Sequence, residues 1–86
     1  MPDLRVLDIT EFTDRSNPAL PVEAVLVTYM THLGQPGTFR MNRTEANREA
    51  VRRRAADEAR TRFQVPEPIT VRFAEHLERS TTFPLR

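Results

Sequence analysis

Apolar positions along this chain gather in short dense runs separated by polar, proline-bearing stretches, a pattern that predicts strands before and after one helical segment. Leu4 to Phe12 (LRVLDITEF) predicts a first strand, with Val6, Ile9, Thr10 and Phe12 as its β-branched and aromatic residues. Thr13 to Pro21 (TDRSNPALP) reads as a loop. Val22 to His32 predicts the strongest strand. Gln35-Pro36-Gly37 suits a tight turn, with proline fixing φ and Gly37 taking a positive φ, and Thr38 to Met41 returns as a short strand.

Asn42 is the expected helix N-cap, with Glu45 three residues on as in a capping box. From Arg43 to about Phe63 the chain holds helix formers and no glycine or proline. Pro66 and Pro68 end that region. Ile69, Val71 and Phe73 alternate as a further strand, and Ser80 to Arg86 reads as extended. The expected fold is α+β: a small antiparallel sheet of three to four strands packed on one long α-helix. Residues 1–79 form the domain and 80–86 an extended C-terminal arm.

The long strand carries most of the information. One of its faces holds Val22, Ala24, Leu26, Thr28 and Met30; the other holds Glu23, Val25, Val27, Tyr29 and Thr31. A sheet with one wet face alternates apolar with polar residues, yet here both faces are apolar at the centre. The first strand repeats this, with Leu4 and Val6 on one side and Leu7 and Ile9 on the other. One helix covers one face. Its own stripe of Val51, Ala55, Ala59 and Phe63 is thin, and alanine buries little area at roughly 25 cal/mol per Å². The expectation is an assembly, in which a second surface covers what the helix does not.

Composition narrows the field. At 86 residues the chain makes one domain. Thirteen basic residues, all arginine, face twelve acids, for a formal charge of +1. Proteins held to nucleic acid by phosphate contacts normally carry a clear positive excess. No cysteine is present, which removes disulfides, thiolate chemistry and cysteine-based metal sites. The opening residues show no basic and apolar leader, and the longest apolar stretch, Ala19 to Met30, is broken by Pro21, Glu23 and Thr28. A soluble chain, synthesised in a cytoplasm, is expected.

Candidate chemistry is sparse. Arg52-Arg53-Arg54 invites a phosphate-binding reading, but consecutive helical residues point in different directions. Their pairing reading is i, i+4: Arg53 with Asp57 and Glu49, and Arg54 with Glu58, which also meets Arg62. His32 and His76, with Glu75 and Glu78 nearby, match no metal-ligand spacing. Ser16 and Ser80 lack a nucleophile-elbow pattern, and two glycines leave no phosphate-cradling loop. The expectation is a non-enzymatic protein with no catalytic residues, no cofactor and no metal. Candidate protein-interface residues are Val25, Val27, Tyr29, Phe83 and Leu85, with Phe12 as a further anchor. Arg52, Arg53 and Arg54 are candidate rim or phosphate contacts.

The run LVTYMTHLGQPGTFRM followed by an Ala/Arg/Glu-rich helix resembles small proteins encoded among the structural genes of tailed bacteriophages, and the Leu-Arg-Val-Leu-Asp-Ile-Thr strand is similar too. The resemblance covers roughly residues 3–62 and stops before the proline-rich stretch from Val65 onward. It implies a multi-copy virion component in the tail, neck or capsid surface. Its partners would be other virion proteins, in a homo- or hetero-oligomer away from any membrane. The alternative is a small nucleic-acid-binding regulator, which requires Arg5, Arg40 and Arg72 to align on one sheet face against acids such as Glu11 and Glu23. A phage-encoded inhibitor of a host protein shares the binding logic of the first reading.

Overall fold

The computed structural model describes residues 2–79. Strands β1 (Asp3–Asp14), β2 (Val22–Thr31) and β3 (Pro36–Asn42) lead through a 3-10 turn (Arg43–Glu45) into helix α1 (Arg48–Phe63). Strand β4 (Thr70–Phe73) and the short helix α2 (Glu75–Glu78) follow. The strands form one sheet in the order β3-β2-β1-β4. The α+β class is as the pattern predicts, but the sheet is mixed where an antiparallel one was expected. β1 and β3 run antiparallel to β2, while β4 lies parallel to β1. A strand that returns through a helical crossover can lie parallel to its neighbour, which a hairpin return cannot do.

The expected helix from Arg43 to Phe63 is shorter, at 16 residues. Asn42 makes no side-chain cap. Asn47 caps instead, its Oδ1 accepting the Ala50 N–H at 2.8 Å. Ala46, between the 3-10 turn and this cap, is buried in the core. At the other end Gln64 takes the left-handed conformation at φ 56°, and the Val65 N–H returns to the Ala59 carbonyl at 3.3 Å. That closure satisfies a terminal carbonyl and turns the buried Val65 inward.

The hairpin also turns earlier than expected. Thr31 N–H donates to Gln35 O at 2.9 Å, and Gly34, at φ 79°, supplies the positive angle expected of Gly37. Pro36 and Gly37 therefore open β3. Gly37 matters for another reason. A Cβ there would collide with Tyr29 Cζ, so only glycine leaves room for that ring.

In β1 a register shift between Val6 and Asp8 adds Leu7 as an extra residue. Beyond such a bulge the alternation changes phase. Leu4, Val6 and Ile9 consequently share one face and are all buried. The core lies between this face and α1. Val25, Val27 and Tyr29 are fully buried there with Val51, Ala55 and Ala59, and Phe39, Met41, Val71 and Phe73 complete the layer. Alanine on the helix lets it approach the sheet closely, so the stripe is thin without leaving these residues wet.

Candidate functional site

Three of the sequence-derived interface candidates belong to the core. Val25, Val27 and Tyr29 have 0% of their surface exposed, so the surface expected on their face is the one α1 occupies. Cross-strand neighbours explain the choice. Val27 lies between Ile9 and Phe39, and Val25 is opposite Met41. Leu26, one residue away on the other face, lies between Thr10 and Arg40. Phe83 and Leu85 lie outside the described residues.

The face opposite α1 holds three of the exposed large apolar residues, Phe12, Val22 and Leu26, while Leu20 and Leu33 lie in the connections before and after β2. Phe12 is 36% exposed, Val22 38%, Leu26 39%, and Leu20 in the loop before β2 is 68% exposed. Phe12 is opposite the buried Ala24. Asp14, opposite Val22, forms an ion pair with Arg40, opposite Leu26, so the bridge spans β2 diagonally beside that small alanine. The Ser16 N–H, at 2.9 Å from Asp14 Oδ1, holds the Asp14 carboxyl below the usual carboxylate range, with Arg40 adding to the effect. Arg5, Arg72, Asp3 and Asp8 populate the far end of this face, with Arg72 Nε 3.5 Å from Asp3. An apolar patch of Phe12, Val22 and Leu26 with a charged border is thus built from β1 and β2. Sequence reasoning assigned Val22, Ala24 and Leu26 to one face but chose the other as interface.

The arginine triplet disperses. Arg52 donates from Nη1 to Val71 O at 3.3 Å, lies over the Phe73 ring at 5.4 Å and approaches Glu49 at 3.8 Å. Arg54 pairs with Glu58 at 3.3 Å and lies over Phe39 at 5.5 Å. Arg53 is exposed. The expected Arg54–Glu58–Arg62 series is present, with Arg62 at 3.9 Å from Glu58, whereas Glu49 meets Arg52 and Asp57 meets Arg60. Arg62 also donates to Thr38 O at 3.3 Å. The regulator's three arginines do share the open face. Glu11 and Glu23 lie on the other face, near Arg43 at 3.6 and 3.9 Å.

Tyr29 carries a hydroxyl with no hydrogen-bond partner among the described residues. Burial pushes its pKa up from 10.0, the Glu58 carboxylate adds to the rise, and the Arg62 guanidinium opposes it. His76 Nε2 lies 3.5 Å from Asp8 Oδ1, and His32 is exposed at the hairpin tip. Among the described residues no group of three or more His, Cys, Asp or Glu side chains is placed to hold a metal ion, and no helix is long and apolar enough to cross a membrane. Comparison with protein-family models, with curated proteins and with solved structures finds no match to this chain.

Proposed function

We propose that this chain is a non-enzymatic structural protein of a tailed-bacteriophage virion, a tail, neck or capsid-surface component that joins other virion subunits through the open face of its sheet. The observation that carries the interaction part is the apolar patch of Phe12, Val22 and Leu26 on the face away from α1. Apolar area left in water costs roughly 25 cal/mol per Å², and a contiguous patch with a polar border is the usual mark of a docking surface. Arg40 and Asp14, at that border, would set register more than affinity. The virion part rests on the resemblance of the hairpin and following helix to phage structural proteins. The C-terminal arm, with Phe83 and Leu85, belongs to the same proposal as a segment able to add to a neighbour's sheet.

The nucleic-acid alternative has one supporting observation, the shared face of Arg5, Arg40 and Arg72. Asp3, Asp8 and Asp14 occupy that face too, and two of them pair with those arginines. The resulting charge balance favours a protein partner.

Sedimentation velocity over a concentration series tests the interaction part. The natural chain is expected to associate, and Leu26→Asp to sediment as a monomer with unchanged circular dichroism. A natural chain that stays monomeric and leaves a hydrophobic dye unbound overturns it. Antibody labelling of purified particles tests the virion part, which falls if the particles lack the chain.

A further inference from the structure

The open face carries two complementary features at opposite ends of β1. Phe39, Phe63 and Phe73 each have an arginine guanidinium over the ring, whereas the exposed Phe12 ring has none among the described residues. Arg5 is the converse, an exposed guanidinium that meets no carboxylate and no ring among the described residues. It lies opposite Met30 and, by strand alternation, on the same side as Leu7. With Arg72 these side chains line a pocket of about 270 Å³. A cavity of roughly 150 Å³ already admits a benzene ring. The ring and the pocket share one face and are roughly 20 Å apart along the strand.

We infer that the open face packs on the same face of a second copy, with the two β1 strands antiparallel, so that each Phe12 enters the Arg5 pocket of the other copy. The dimer rests on the reading of this face as the docking surface and gives that surface its occupant. A two-fold axis crossing the strands beside Asp8 performs the exchange, because Phe12 and Arg5 flank that residue at similar distances. Both contacts form at once, and Leu26 falls between Thr28 and Met30 of the other copy.

A second copy fits better than an unrelated protein for three reasons. Each copy offers both the ring and the pocket, so a two-fold closes the assembly with neither left over. A guanidinium stacks on an aromatic face, as it does at three other rings of this chain. The face also carries three arginines (Arg5, Arg40, Arg72) and three aspartates (Asp3, Asp8, Asp14), so two such faces meet without net charge. Packing patch on patch, with the strands parallel, would instead set the two Arg5 ends together and leave both pockets without a ring. In the antiparallel dimer Asp8 lies closest to the axis and approaches its own copy there, with His76 Nε2 3.5 Å away.

Sedimentation velocity on the full chain over a concentration series reads the dimer. Phe12→Ala and Arg5→Glu, both at exposed positions, are each expected to weaken association about tenfold or more with circular dichroism unchanged. Mixed, the two variants are expected to associate more tightly than either alone, because one Phe12 then meets one natural pocket. Asp8→Asn, which keeps an acceptor for the Ile9 N–H, is expected to tighten association severalfold. A nitroxide on Leu33→Cys, at the exposed hairpin tip of this cysteine-free chain, is expected to give an intermolecular distance beyond the length of β2, about 33 Å. A mixture no tighter than its components overturns the proposal, as does a shorter label distance, which would put like ends together. A natural chain that stays monomeric overturns it too. If that monomer still binds a hydrophobic dye, the docking surface stands with a different protein as its occupant; if it binds none, both readings fail.

Discussion

Val27 and Leu26 are adjacent in β2 and of similar apolar character, yet Val27 has no exposed surface and Leu26 keeps 39% of its own. The two faces differ in what lies beside each residue. On the helix side every central position of β2 meets an apolar neighbour on at least one flanking strand. On the open side Leu26 and Thr28 meet Thr10, Arg40, Asp8 and Thr38. Hydrophobicity along one strand therefore does not choose a core; the register with its neighbours does.

Paired substitutions at this boundary should separate the faces most widely. Val27→Ala removes two buried methyl groups and is expected to cost about 2–3 kcal/mol by chemical denaturation. Leu26→Ala, at a half-open position, is expected to cost less than about 1 kcal/mol at protein concentrations where the chain is monomeric. Comparable losses at both positions would mean that the open face is covered in solution. A subtler break concerns Gly37, whose missing side chain accommodates the Tyr29 ring. Gly37→Ala is expected to lose roughly 1–3 kcal/mol, and Gly34→Ala to strain its turn without touching the ring. Near-ultraviolet circular dichroism distinguishes them, because only the first displaces the chain's single tyrosine.

The smallest effect is electrostatic. Tyr29 is the chain's one tyrosine, and burial holds its pKa above 10.0 in the fold. The unfolded chain releases that proton near 10, while the folded chain retains it. The stabilising contribution is therefore complete below about pH 10 and is lost as pH rises from there through the folded value. Denaturation midpoints should fall above pH 10, and the Tyr29→Phe variant should lack that component. Tyrosinate absorbance appearing at the ordinary value in the folded protein would refute the buried placement.

Much of this architecture was legible in the residues. β2 and the hairpin return stand out in the chain, and β4 was expected within one residue of its observed start. The mixed sheet was not legible, because four residues from Thr70 to Phe73 carry no sign of which neighbour they join or in which direction. The core face was missed for two local reasons. Gln35-Pro36-Gly37 resembles a turn, and placing the turn there hides the register that brings Phe39 and Met41 opposite Val27 and Val25. The extra Leu7 in β1 makes the strand look apolar on both sides when Leu4, Val6 and Ile9 in fact share one. Once these are corrected, the apolar excess shrinks to a patch at one end of the open face, and the candidate site moves there. The pocket beside Arg5 could not be read beforehand, since it joins side chains from β1, β2 and β4.

One helix reaches both rims of the sheet, through Arg52 at Val71 and Arg62 at Thr38. Unravelling of the whole helix would release both of these edge carbonyls at once. Fraying of its last turn, which carries Arg62, would release only the Thr38 edge, whereas the Val71 edge needs the first half of the helix to open as well.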